Sequence, residues 1–467
     1  MKLNTKRTVL IGFAFMAICA FWQLYDTVVP LLLKYTFGVM DEVKVGGIMA
    51  LDNIFALFML PLFGALSDRT HTKIGKRMPY IVFGTMAAVV FMMLMPISAK
   101  VQNLTLFIAA LFLALVAMST FRSPAVSLMP DVTPKPLRSK GNAIINLMGS
   151  VGGLIALVLL MVLDTSKYNY VCPKGHVTEN LGGGVQEALC ADCSVKYSGV
   201  NENLTRINPD YTLVFAILGA IMVLSAIVIF AFVKENKFVA EREALEKANG
   251  IADEDENDSA TGKKMPKDVR RSLVFMLLSV AFWYMGYNAV TSAFSRYSVE
   301  VWHLTDTGTS KCLMVAMGVA LVAFVPIGII SSKIGRKKTI LAGVLLLALS
   351  FLVAGFCKFD WYINLLFGLV GIAWAAINVN SFPMVVEMSR GSDIGKYTGY
   401  YYTFSMAAQV ITPVLSGVFL NIDYKFLFPY ATVCVLLSFV TMLMVKHGDS
   451  RIETKDAMME VLAGGDD

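Results

Sequence analysis

Charge is scarce in this chain. Asp, Glu, Lys and Arg supply 16% of its 467 residues, against 56% apolar. Soluble globular chains carry about a quarter charged residues, so that class is excluded and a polytopic membrane protein is expected. Histidine is nearly absent: there are four, and none falls within a predicted membrane span. No phosphate-binding loop is evident either, and together these absences leave an enzyme reading without support. The net charge of +6 does not indicate a nucleic-acid partner, because the basic residues collect in short loops between apolar runs.

What the chain does have is long apolar runs. Twelve are long enough to cross a bilayer, over about 8–33, 46–67, 79–99, 104–128, 140–163, 211–233, 271–294, 311–331, 338–357, 361–386, 396–420 and 425–446. The fold class expected is an all-α membrane protein. Most of the 40 Lys and Arg fall on the side that carries the N-terminus, which predicts a multi-pass protein with both termini cytoplasmic. Lys2, Lys6 and Arg7 before an apolar run could open a signal peptide. That run is too long for one, so an uncleaved first span is expected.

Two stretches repeat. Gly64–Pro79 reads Gly-Ala-Leu-Ser-Asp-Arg-Thr-His-Thr-Lys-Ile-Gly-Lys-Arg-Met-Pro, and Gly328–Lys338 reads Gly-Ile-Ile-Ser-Ser-Lys-Ile-Gly-Arg-Lys-Lys. Both lie between apolar runs, and Lys73-Ile74-Gly75 aligns with Lys333-Ile334-Gly335. Gly64, Asp68, Arg69, Gly75, Lys76 and Arg77 form a charged latch; Gly335 and Arg336 belong to its second copy, where Ser332 replaces Asp68. The second latch is therefore expected to be weaker. Two degenerate copies in corresponding halves are the mark of parallel six-helix repeats. The domains expected are 1–233 (with an outer loop, 164–210), a cytoplasmic linker 234–271, a second bundle 272–446 and a tail 447–467.

The spacing of these loops resembles the signature of the major facilitator superfamily. The longer form, Asp-Arg-Thr-x-Thr-x-x-Gly-x-Arg-x-Pro, resembles the glycoside–pentoside–hexuronide cation symporters and, nearest, the sucrose–proton symporter-like branch. The resemblance covers nearly the whole chain. It implies two six-helix bundles around a cavity, a small-molecule sugar as substrate, and a coupling cation. Members resembling melibiose permease place cation-binding carboxylates at positions that fall here on Leu60 and Ala56, so a proton is preferred to sodium.

Ionisable residues inside spans face cavities or partners by default. Asp26 and Asp52 lie at similar depth on the first two spans and are the candidate coupling pair, against a capping role for Asp52. Trp22, Gln23, Asn53, Arg122, Asn146, Trp283, Tyr287, Asn288, Trp374, Asn378 and Gln409 are candidate sugar ligands, because a sugar needs neutral hydrogen-bonding groups and an aromatic platform. Asn142 shares a face with Asn146. Around Phe121–Asp131 the chain resembles a stretch of the sucrose symporters whose arginine falls on Val126, and Arg122 lies one turn earlier. Arg122 could equally snorkel. Glu387 and Arg390 could pair with the second latch.

The outer loop holds Cys172-Pro-Lys-Gly-His176 and Cys190-Ala-Asp-Cys193. These three thiols and one imidazole suit a structural zinc site; an exterior location suits a disulfide; free thiols are the third reading. Cys19, Cys312, Cys357 and Cys434 read as small buried residues. The linker is expected to be partly helical, with a flexible acidic part over 253–258.

The function expected is proton-coupled symport of a glycoside, of disaccharide size, by a monomer in the plasma membrane that needs no cofactor for transport. A polyspecific exporter of amphiphiles, and a membrane sensor using the Cys/His loop, are the alternatives.

Overall fold

The computed structural model describes residues 4–134, 137–163, 170–172, 174, 176–180, 187–198, 205–206, 210–248, 266–388 and 394–448. The acidic run at 253–258 and Arg390 lie outside them, as do the side chains of Asn142, Ser332 and Glu387. Twelve helices are long and apolar enough to span a membrane, so the all-α membrane fold expected from the apolar runs is the one observed. Most run a few residues beyond the predicted spans, because a helix continues into the polar region until a glycine, a cap or a turn stops it.

The helices, in order, are α1 (Thr5–Leu31), α2 (Glu42–Arg69), α3 (Met78–Lys100), α4 (Leu104–Val132), α5 (Arg138–Leu163), α6 (Thr212–Phe232), α7 (Glu235–Ala248), α8 (Lys267–Glu300), α9 (Asp306–Ile334), α10 (Arg336–Phe356), α11 (Trp361–Glu387), α12 (Ile394–Leu420) and α13 (Leu427–Leu443). Between α5 and α6 the chain forms five short strands, β1 (Tyr170–Val171), β2 (Val177–Asn180), β3 (Glu187–Cys190), β4 (Val195–Ser198) and β5 (Thr205–Arg206). All described pairings are antiparallel, in the order β4-β3-β2-β1-β5. The sequence did not predict this sheet.

The chain divides into two compact units. The first comprises 1–40, 51–252 and 303–310; the second comprises 41–50, 253–302 and 311–467. In the first unit α1 packs along α5 and α3 along α4. The α1–α5 crossing needs glycine, since a Cβ on Gly152 would lie 2.0 Å from the Met16 carbonyl oxygen. In the second unit α8 packs against α12 and α13, and α10 against α11 and α13. Small residues let helix backbones approach where the surrounding lipid offers no hydrophobic gain.

Two prolines open the ladder beside predicted site residues. Pro30, inside α1, and Pro413, inside α12, have no N–H to offer the carbonyls four residues earlier. Those carbonyls belong to Asp26 and Gln409. Just beyond Pro30 the helix widens into a π-turn over Leu32–Thr36.

Candidate functional site

In the first unit, α1, α2 and α4 bring Trp22, Asp26, Asp52 and Arg122 into one neighbourhood. Asp52 acts electrostatically on Asp26, and Arg122 on Asp52. The Arg122 guanidinium also lies 5.6 Å from the centre of the Trp22 ring, a cation–π separation. Arg122 therefore sits with the carboxylates, and Val126, one turn on, is exposed. Asp52 does cap locally: the Asn53 backbone and side-chain amides donate to its Oδ1 at 2.6 and 2.7 Å. Gln23 Nε2 donates to Thr27 Oγ1 at 3.2 Å. The Trp22 indole N–H is buried with no hydrogen-bond partner. Asn146 is exposed. A carboxylate pair with a neighbouring guanidinium can bind one proton, which takes the three groups from a net charge of −1 to 0, and a buried indole donor suits a hydroxyl.

In the second unit the corresponding region is neutral. Between Arg271 and Arg296 α8 has no charged residue, and α11 has none before Glu387. Tyr287 stacks on Trp374 with centroids 3.7 Å apart and planes 6° from parallel. Tyr284 meets the same indole edge-on at 5.7 Å. Tyr284 is hydrogen-bonded to Tyr401, whose hydroxyl lies 2.9 Å from Ser381 Oγ. Trp283, expected as a platform, is 0% exposed and packs in the core, one helix step away from the face that Tyr284 and Tyr287 share. Asn288 Nδ2 is buried without a partner. Asn378 and Gln409 donate to the carbonyls of Trp374 and Ser405, at 3.1 and 3.3 Å.

The first latch closes on carboxylates. Arg77 is 5% exposed and pairs with Asp68 and, through Nε at 2.9 Å, with Asp131. It also donates to Ser67 Oγ and the Gly64 carbonyl. Lys76 reaches Asp131 at 3.1 Å. The N–H groups of Lys76, Arg77 and Met78, at the start of α3, all donate to the Glu235 carboxylate at 3.0–3.1 Å. A carboxylate at a helix N-terminus satisfies orphan donors and opposes the dipole. Even so, burial pushes the Glu235 carboxyl above its ordinary range. Gly75 has φ +124°, and a Cβ there would strike Glu235.

Glu235 opens α7, so the linker helix docks on this latch. Arg7 anchors it further on, bonding Glu241 at 2.5 Å and lying 3.6 Å over the Phe238 ring. Over its described length the linker is thus a held strut. Arg69 closes α2.

The second copy repeats the backbone of the turn, with Ser332 at the position of Asp68. Ser331 Oγ donates to the Gly328 carbonyl at 2.9 Å, as Ser67 does to Gly64 at 2.8 Å. Gly335, before α10, again has positive φ, +99°. Arg336 is the first residue of α10. Lys337 bonds the Leu443 and Val445 carbonyls at 3.2 and 2.5 Å.

Between α5 and α6, Cys172, His176, Cys190 and Cys193 place their four ligand atoms within 4.8 Å of one another. Of the other cysteines, Cys312 and Cys434 are buried as expected, whereas Cys19 and Cys357 are only part-buried.

The model of the family described as MFS/sugar transport protein matches residues 10–369, and that of the Major Facilitator Superfamily matches 300–458. This chain belongs to the major facilitator superfamily. An uncharacterised MFS-type transporter of Methanocaldococcus jannaschii is 23% identical over 188 residues, which are 39% of this chain and 46% of that protein. The chain thus matches less than half the length of that relative. Two solved structures share the fold. A POT family transporter in complex with 5-aminolevulinic acid has TM-score 0.64 at 11% identity, over 94% of this chain and 95% of that one. A bacterial homologue of the human lysosomal transporter Spinster, inward-facing and occupied, has 0.61 at 12%, over 100% and 98%. That superfamily is one of membrane transporters and not of enzymes.

Sequence reasoning about the transporter passed over three groups. Glu235 lies far along the chain from the helix it caps. Tyr401 was visible only as one of three successive tyrosines. Within the second unit, Glu42 and Arg296 are 2% and 3% exposed and pair at 3.0 Å, while Tyr424 donates to the same carboxylate. Arg296 was legible as a cation at the end of a span; Glu42, more than 250 residues earlier in the chain, carried no signal of pairing with it.

Proposed function

We propose that the transporter carries a neutral glycoside, of disaccharide size, together with a proton by alternating access. The observation that carries this reading is the gathering of Asp26, Asp52 and Arg122 beside Trp22 within membrane-spanning helices. Ionisable groups there are expensive and are retained where they bind or move charge. Asp26 takes the proton and Asp52 assists. Trp22, Gln23, Asn53, Arg122 and Asn146 of the first unit, and Tyr287, Asn288, Trp374, Asn378 and Gln409 of the second, are the sugar ligands. The stacked Tyr287–Trp374 pair supplies the apolar ring platform, with Tyr284 and Tyr401 added and Trp283 left to the core. The family description, MFS/sugar transport protein, points the same way.

The finer kinship proposed is with the glycoside–pentoside–hexuronide symporters, on the Gly64–Pro79 loop. Bundles 1–233 and 272–446 are the moving bodies, joined by 234–271, in a monomer. The protein resides in the plasma membrane, with both latches and both termini cytoplasmic.

The test is sugar-dependent alkalinisation in proteoliposomes across a sugar panel, with calorimetric binding beside it. A disaccharide should bind and alkalinise the medium, and its uronic-acid analogue should bind more weakly. Tight binding of the uronate, abolished in Arg122→Gln, would overturn the assignment.

A further inference from the structure

The unit between α5 and α6 is built on two hairpin turns. Residues 172–176 join β1 to β2, and 191–194 join β3 to β4. Because β2 runs antiparallel to β3, pairing Glu179 with Leu189 and Asn180 with Ala188, both turns lie at the same end of the sheet. Each supplies two ligand atoms. Cys172 and His176 come from the first turn, and Cys190, the last residue of β3, and Cys193 from the second.

Their spacing is that of a tetrahedral metal shell. A zinc–sulfur bond of about 2.3 Å places the sulfurs of a tetrahedron about 3.8 Å apart. Cys172 Sγ lies 3.8 Å from Cys193 Sγ and 3.7 Å from Cys190 Sγ. His176 Nδ1 is 3.2 Å from Cys193 Sγ. The backbone N–H groups of Lys174 and His176 point at the Cys172 sulfur, as a turn wrapped around a thiolate requires, and the Cys172 N–H donates to the His176 carbonyl at 2.9 Å. Ser194 takes positive φ, +54°, to close the second turn.

We propose that Cys172, His176, Cys190 and Cys193 hold one structural zinc ion that clamps the two hairpins together. Strands of two to four residues cannot bury a core of their own. The deeply buried side chains among the described residues of this segment are Cys172 and Cys190, at 3% and 0% exposed, so the ligands themselves are the centre of the unit. A disulfide uses two of the three sulfurs. It leaves the third sulfur and the imidazole gathered there with nothing to hold them.

The test uses the full-length protein purified in detergent without chelator or a histidine tag. Metal analysis should find about one zinc per chain, and below roughly a tenth in the Cys190→Ser/Cys193→Ser double variant, since the affinity of such sites depends on the full ligand set. The three thiols should resist alkylation until a strong chelator is added, a readout on wild-type protein that stands even if the variant misfolds. His176→Cys should keep the metal, because four thiolates also suit zinc. Zinc at background level with two of these cysteines joined in a disulfide overturns the proposal. So does a metal content that the cysteine substitutions leave unchanged, because that ion binds elsewhere.

Discussion

The candidate site residues of the two units differ in charge, although the second unit also holds the buried Glu42–Arg296 pair. In the first, the intramembrane neighbourhood is Asp26, Asp52 and Arg122, and the latch is Arg77 and Lys76 on Asp68, Asp131 and Glu235. In the second, the equivalent neighbourhood is Tyr284, Tyr287, Trp374 and Tyr401, and the latch lysine, Lys337, rests on backbone carbonyls. The backbones of the two latches agree down to a serine bonded three residues back and a glycine at positive φ. The same turn is therefore kept where Ser332 replaces Asp68. Carboxylates take up protons within the accessible pH range, whereas backbone carbonyls and aromatic rings do not. Under the function proposed above, the first unit carries the coupling ion and the second the sugar ring.

The latches give the largest contrast in stability. Arg77→Met takes a buried guanidinium away from Asp131, which keeps Lys76, and from the exposed Asp68, and should cost about 2–3 kcal/mol, the scale for hydrogen bonds to charged groups. Lys337→Met loses hydrogen bonds to carbonyls that water can replace and should cost about 1 kcal/mol. Thermal unfolding in detergent reads both. Equal losses would mean that the second latch relies on charge as much as the first.

The two glycines sharpen the same contrast. Gly75→Ala and Gly335→Ala should each cost about 1–2 kcal/mol for a side chain at positive φ. Gly75→Ala also has to displace Glu235 from the start of α3, and losing such a cap adds about 1 kcal/mol. Thermal unfolding of the two variants should therefore separate them, with Gly75→Ala the less stable.

Much of this contrast was legible in the sequence. Apolar run length gave twelve spans, and the glycine spacing of the two loops gave the repeat and the missing aspartate. Asp26, Asp52 and Arg122 stood out because charge is rare inside spans, and the structure brings them together. The partners that lie far away in the chain were not legible. Glu235 caps a helix that starts 157 residues earlier, and Glu42 pairs with Arg296 with no spacing rule between them. Helix rotation was the other gap. Trp283, Tyr284 and Tyr287 all fall within little more than one turn, and only packing decides that the tryptophan turns to the core.

The smallest effect expected is a pH response on the linker. The Arg7 hydrogen bond holds the Glu241 carboxyl below its ordinary 4.5. A carboxylate lowered in the docked state contributes fully above that ordinary value, and its contribution fades as pH falls through the lowered one. A spin label at Ala240→Cys should thus become more mobile only as pH drops below 4.5, and Glu241→Gln should remove that dependence. Arg7 stays over Phe238 whatever the pH, so the change should be modest.

The central claim, coupling ion in one unit and ring platform in the other, is tested most directly by measuring alkalinisation and sugar exchange in the same proteoliposomes for Asp26→Asn and Trp374→Ala. Asp26→Asn should lose sugar-driven alkalinisation while exchange continues. Trp374→Ala should raise the half-saturating sugar concentration about tenfold, the scale of one lost aromatic contact of 1–1.5 kcal/mol, with the ratio of protons to sugar unchanged. Alkalinisation that survives in Asp26→Asn, or a proton ratio that shifts in Trp374→Ala, would contradict the account.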